Sequence, residues 1–97
     1  MPKKYKLRQA AKDDLKGIGR YTLKNHGKAQ RNKYLLGLNE RFEYLGENPL
    51  FGRSCDDVKE GYHCSDYQKH VVFYTIKKDY VEIQAVLYEG MIPQLHL

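Results

Sequence analysis

Six side chains in the second half of the chain, Arg53, His63, Lys69, His70, Tyr88 and His96, are of the types that cleave RNA without a metal. That reaction needs a base for the 2′-hydroxyl proton, cations for the charged phosphorane and an acid for the leaving oxygen. Their setting argues against it. The stretches 70–76 and 80–88, which read as strands, contain no Lys or Arg, and Lys77 stands only at the hairpin edge between them. His96 has no Asp or Glu within residues 90–97 to orient it. His70 opens an apolar stretch, where a hydrogen bond at a strand end is the more ordinary use of an imidazole. Tyr62, Tyr67, Tyr74 and Tyr88 have the ordinary use of strand aromatics. Arg53, after Gly52 in a turn, suits a tie to a carboxylate or helix end as well as a contact with a partner, since loop arginines are frequent hot spots. No His/Cys/Asp/Glu cluster has metal-ligand spacing, and no cofactor is expected.

The tail "AVLYEGMIPQLHL" offers a different chemistry. Met91, Ile92, Pro93, Leu95 and Leu97 surround the single imidazole of His96. Such a tail has few groups for proton transfer and much apolar area to bury, so with Tyr88 it reads as a grip on protein. A third feature is cationic. Lys12, Lys16, Arg20, Lys24 and Lys28 recur every fourth residue and form a ridge that drifts around a helix. Like charges at this spacing repel by a few tenths of a kcal/mol per pair. The ridge is either a solvated face or a binding surface for an anion, nucleic acid or acidic protein. Tyr21 is the lone aromatic beside it, which speaks against a single-stranded nucleic acid.

These residues need elements to hold them. "KYKLR", Lys4–Arg8, alternates as a half-buried first strand. Ala11, Leu15, Ile18 and Thr22 then fall three or four apart, the spacing of a helix with one buried face, and Asp13 and Asp14 are expected in its first turn. Gly17 and Gly19 weaken this helix by roughly 1 kcal/mol each relative to Ala. Asn25-His26-Gly27 stops it, with Gly27 suited to a left-handed conformation. Leu35, Leu38, Phe42 and Leu45 mark a second helix, from about Lys28 to Gly46, and "GENP" ends it. So short a link makes the pair an antiparallel hairpin. "GYHCSDY", "HVVFYTI" and "YVEIQAVLY" read as a three-stranded meander. In the last of these Val81, Ile83, Ala85 and Leu87 alternate with Glu82 and Gln84, which predicts one core face. "HVVFYTI" is apolar on both sides, hence central and covered by something. The expected fold class is α+β, in the order β-α-α-β-β-β, a helical hairpin packed on a small antiparallel sheet as one domain over residues 1–97.

The composition fits a globular chain of 97 residues with 41% apolar and 30% charged residues. Residues 1–33 hold eleven Lys or Arg against two acids, and residues 34–97 hold six against ten, for a net charge of +5. No apolar run nears the roughly 20 residues of a membrane helix, and no leader pattern starts at Met1. Cys55 and Cys64 fit no zinc spacing and read as reduced bystanders in a cytoplasmic protein.

The segments "AAKDDLKGIGRYT", "HGKAQRNKYLLGLNERFEYLGENPLFGRS", "GYHCSDYQKHVVFYTI" and "EIQAVLYEGMIPQLHL" together resemble ParE, the toxin of a bacterial toxin–antitoxin pair in the RelE/ParE superfamily. The resemblance covers nearly the whole chain. Its points are Asp14-Leu15…Ile18…Tyr21, Asn48-Pro49…Gly52-Arg53, Gly61-Tyr62, "HVVFY" and the closing Met91-x-Pro93-x-x-His96-Leu97. Departures are Gln9 for a capping Ser or Thr, Tyr88 for a frequent His, Ile92 for a frequent Asp and Leu95 for a frequent Arg. Ala85 likewise stands where Arg is common. The resemblance implies a cofactor-free toxin that blocks DNA gyrase, and a ParD-type antitoxin that folds over it in a hetero-oligomer. Nucleic acid would be met only through gyrase or antitoxin. The rival within the superfamily is the RelE-like branch, which cuts messenger RNA in the ribosome. On this reading Arg53, Tyr88, Met91, Ile92, Pro93, Leu95, His96 and Leu97 are expected to meet the target. Lys12, Lys16, Arg20, Tyr21, Lys24, Val72 and Tyr74 are expected to meet an acidic, amphipathic antitoxin segment.

Overall fold

Gly27 turns the helical segment Gln9–Glu47 back on itself, at φ 88° and ψ 170°, a region of backbone space open essentially to glycine. Its two arms, 9–26 and 28–47, are α1 and α2 in a computed structural model that describes residues 4–97. The expectation about a leader at Met1 lies outside those residues. The arms lie side by side. A Cβ on Gly19 would sit 3.5 Å from Leu35 Cδ1, and these two residues are equidistant from Gly27, as antiparallel arms require. The helix begins at Gln9, so Asp13 and Asp14 fall beyond the first turn rather than within it. Asp14 has another task, described below.

Five strands follow the expected order with one addition: β1 (Tyr5–Leu7), β2 (Arg53–Ser54), β3 (His63–Tyr67), β4 (His70–Ile76) and β5 (Val81–Tyr88). They form one sheet in the order β1-β5-β4-β3-β2, so the doubly apolar β4 is central. The sheet is mixed, because β1 pairs parallel to β5 while the other pairs are antiparallel. The two-residue β2 was not expected from the sequence, where Arg53 reads as part of a turn.

Two cores lie on the two faces of this sheet. Under the helices, Val72, Tyr74, Val81, Ile83 and Val86 pack with Tyr5, Ala11, Ile18, Leu38, Phe42 and Leu45. On the opposite face Phe73, Ala85 and Leu87 pack with Cys55, Tyr62 and Cys64, with Val58, Val71 and Leu97 against them. The division corrects the single core face predicted for β5. Phe73 pairs with Ala85 but Tyr74 pairs with Ile83, which leaves Gln84 as an extra residue, a β-bulge. Past the bulge the alternation reverses, so Ala85 and Leu87 face away from the helices. The buried Gln84 side chain holds the bulge together. Its Oε1 accepts from Arg8 Nη1 at 3.1 Å and Tyr62 Oη at 3.4 Å. Its Nε2 donates to Thr75 Oγ1 at 3.0 Å and Glu82 Oε1 at 2.9 Å.

β1 is too short to cover all of β5. Beyond it the Val86 N–H donates to Asp14 Oδ2 at 2.9 Å, so a helix carboxylate takes the place of a strand partner. Burial raises the Asp14 carboxyl above its ordinary value, as does Asp13, against the lowering effects of the Val86 bond and His96. Tyr74, at the heart of the first core, ties the turn between α2 and β2: its hydroxyl donates to Pro49 O at 2.7 Å and accepts from Gly52 N at 3.0 Å.

That close approach fixes Gly52. A Cβ there would meet Tyr74 Oη at 2.5 Å and Cys64 O at 2.6 Å, whereas one on Gly17 meets nothing within 4 Å. Gly52→Ala is expected to destabilise the protein by about 1–3 kcal/mol through overpacking, and Gly17→Ala to stabilise it by about 1 kcal/mol through helix propensity. Urea or thermal melts of the two variants check both signs.

Candidate functional site

Arg53 comes to the sheet on β2 because Gly52 lets the turn pass beneath Tyr74, and it lands across from Cys64 on β3. Its guanidinium is already engaged. Nη1 lies 2.8 Å from Asp66 Oδ2 and Nη2 lies 3.4 Å from Oδ1, a forked pair on the surface. Of the two uses open to Arg53 in the sequence, the tie to a carboxylate is thus present. An exposed pair of this kind contributes about 0–1 kcal/mol, so its main effect here is to neutralise the charge.

Of the remaining candidates for proton transfer, Tyr88 lines the same hollow as Arg53, while the histidines and Lys69 lie elsewhere. His63 stacks on Tyr74 under the helices, with ring centroids 5.6 Å apart. His70 also faces the helices, where Tyr34 Oη of α2 lies 2.6 Å from its Nδ1. Tyr34 packs edge-on against Tyr67 and His70, and Tyr88 packs edge-on against His70. Burial pushes the His70 imidazole below its ordinary value, with Glu89 pulling weakly the other way, and pushes the Tyr34 phenol up. Lys69 lies exposed in the turn that joins β3 to β4, and His96 lies exposed after the 3₁₀ turn Pro93–Leu95. No sequence spacing signalled the Tyr34–His70 contact, which joins residues from two elements.

What does form opposite the helices is a hollow of about 310 Å³. Its floor is Cys64, Val71, Phe73 and Leu87 from β3, β4 and β5. One lip is the 53–58 segment with Arg53, Asp57 and Val58, and the other is the tail with Tyr88, Glu89, Met91 and Pro93. Among the described residues Arg53 is the one Lys or Arg lining it, set against the carboxylates of Asp57 and Glu89. The sequence did not mark Asp57 or Glu89, because their placement on opposite lips depends on the sheet between them.

The tail divides. Leu97 packs against the second core, so that part of the expected grip holds the protein's own domain. Met91, Ile92, Leu95 and His96 stay exposed, and Tyr88 stays half-exposed at the lip. The cationic ridge is in place on α1: Lys12, Lys16, Arg20, Lys24 and Lys28 are exposed, as is Tyr21, and none of these cations forms an ion pair among the described residues. Val72 and Tyr74 correct the expected antitoxin surface. Both have 0% exposure, because their face of β4 lies under the helices, and neither offers a contact to a partner.

The cysteines are a further correction. Cys55 and Cys64 are joined in a disulfide rather than standing as separate thiols. The β2–β3 pairing and the Cys55 N to Tyr62 O bond of 2.8 Å draw their Cα atoms to 6.2 Å, within bridging range. The bond ties the 53–58 lip to the floor of the hollow. Among the described residues no group of three or more His, Cys, Asp or Glu is placed to hold a metal, and no helix is long and apolar enough to cross a membrane.

Comparison with known proteins agrees with this architecture. A family model described as "ParE toxin of type II toxin-antitoxin system, parDE" matches residues 5–93. The chain is 29% identical over 92 residues to Toxin ParE1 of Mycobacterium tuberculosis (strain CDC 1551 / Oshkosh), which covers 94% of each chain. The toxin of the same name from a second strain of that organism is equally similar. The solved structure "Chromosomal ParDE TA system from P. aeruginosa" shares the fold, with a TM-score of 0.76 at 17% identity, over 87% of this chain and 92% of that one.

The half-buried His70 has a consequence for stability. Its folded pKa lies below the ordinary 6.5, so on acidification the unfolded chain takes the proton first. Its contribution is fully present above about pH 6.5 and is lost as pH falls. The melting temperature is expected to drop between about pH 7 and 5, with a shallower drop in His70→Gln. Parallel profiles for the two proteins would remove His70 as the group responsible.

Proposed function

We propose that this chain, which belongs to the ParE toxin family of type II toxin–antitoxin systems, stops replication by binding DNA gyrase and not by cutting RNA. The supporting observation is electrostatic. Among the described residues the lining of the sheet-face hollow holds one guanidinium, already paired with Asp66, together with two carboxylates. A pentacovalent phosphorane forming there would meet net negative charge, whereas metal-free cleavage depends on fixed cations aimed at that intermediate. His63 and His70 lie on the other side of the sheet, out of reach of a substrate in the hollow. Occupying a protein target needs none of those groups. It needs exposed apolar area, which Tyr88, Met91, Ile92 and Leu95 supply.

The same reading includes a ParD-type antitoxin. The name of the solved P. aeruginosa relative pairs its toxin with ParD, and the ridge of Lys12, Lys16, Arg20 and Lys24 is open to a segment rich in carboxylates. Such a segment gains charge-assisted contacts along α1 that salt weakens.

Two measurements follow. Purified protein added to gyrase is expected to abolish supercoiling and build up cleaved DNA, with activity restored by the antitoxin, while mapping of messenger 5′ ends after expression shows no codon-phased cuts. Untouched supercoiling together with phased cuts would reverse the assignment to the RNA-cutting branch. For the antitoxin, the paired reversal Lys16→Glu and Arg20→Glu is expected to weaken the complex by roughly 10-fold or more and to flatten its salt dependence. Unchanged affinity and salt slope would place the ridge outside the interface.

A further inference from the structure

We infer that the hollow between the 53–58 lip and the tail seats one apolar side chain of the target protein, bracketed by lysine or arginine on that partner. The inference rests on the reading that the toxin acts by binding a protein, and it names the surface and the chemistry of the contact. Three features carry it. The floor of Val71, Phe73 and Leu87 is apolar, and the tail lip carries Met91 at 44% and neighbouring Ile92 at 59% exposure, an apolar strip on a polar surface. At about 310 Å³ the hollow is at the lower limit of small-molecule pockets, which suits a single large side chain. Asp57 and Glu89 stand on opposite lips, and neither has a cationic partner among the described residues, while Arg53 is committed to Asp66.

The charge of the rim chooses the occupant. In a protein of net charge +5 this concavity is locally acidic. It would repel a phosphate backbone, and it would repel the acidic segment that suits the ridge on α1. A basic segment with an apolar anchor is complementary on both counts: the anchor is buried at the centre, and the flanking cations meet the two carboxylates at the rim. Both lips are held in advance, one by the Cys55–Cys64 bond and the other by Leu97 in the second core, so little ordering is left for the moment of binding. The two faces of the molecule thereby address partners of opposite charge.

The test uses the intact protein and the double variant Asp57→Lys with Glu89→Lys. Both side chains are exposed, and an unchanged melting temperature would confirm that the variant folds. The control is Asp79→Lys, in the turn between β4 and β5. Fluorescence polarisation would follow a labelled peptide with a central phenylalanine flanked by lysines, beside its counterpart flanked by glutamates. The wild type and Asp79→Lys are expected to bind the lysine peptide at least 10-fold more tightly than the glutamate peptide, and the double variant is expected to lose that preference. No preference in the wild type, a preference kept by the double variant, or displacement of the peptide by an RNA oligonucleotide would each overturn the inference. Gyrase assays separate the two readings. A double variant that still inhibits gyrase as the wild type does would remove the hollow and leave gyrase as target. Charge-dependent peptide binding by a wild type that leaves gyrase untouched would keep the hollow and remove gyrase.

Discussion

The β-bulge at Gln84 is the constraint on which the rest of the structure depends. One extra residue in β5 turns Ala85 and Leu87 away from the helices while Val86 stays beneath them. Without it Ala85 and Leu87 would follow Val81 and Ile83 under the helices, and the opposite face of β4, with Val71 and Phe73, would meet Gln84 and Val86 instead. The bulge creates the second core, and the second core supplies the floor of the hollow and the anchorage of Leu97. A buried amide left without partners would cost about 1–3 kcal/mol, so the bonds accepted from Arg8 and Tyr62 and donated to Thr75 and Glu82 are a condition of the bulge and not an addition to it.

Charge is sorted by layer. The helical layer carries the excess of cations, as the ridge on α1, and the far face of the sheet carries the locally acidic hollow. On the reading proposed above, a toxin restrained by one partner and directed at another benefits from this separation, because a ligand suited to one surface is repelled from the other. The bond between Asp14 and Val86 belongs to the same economy of edges. A sheet edge left open invites pairing with another chain, and here a helix side chain closes it.

Three of the six side chains of catalytic type, Arg53, His63 and His70, make contacts within the fold. Tyr74 fastens the turn that delivers Arg53, His63 stacks on Tyr74, and His70 sits in a chain of aromatic contacts from Tyr67 through Tyr34 to Tyr88. In a domain of this size the apolar cores leave only a small margin, and aromatic residues with one polar atom add both area and direction.

By itself the sequence determined the order of elements, the turn at Gly27, the central place of β4 and the cationic ridge, along with the family resemblance that the comparisons bear out. These are local matters. Helix period, a glycine-only conformation and a doubly apolar strand are written in neighbouring residues, and a charge at every fourth position needs no partner to be seen. The tertiary structure alone decided which face each β5 residue takes, because a bulge shifts register without changing composition. It decided that Val72 and Tyr74 are core, that Cys55 meets Cys64, that Arg53 is spent on Asp66 and that Asp57 faces Glu89 across a hollow. Each of those facts joins residues far apart in the chain or on different strands, and only the packing of the sheet brings them together.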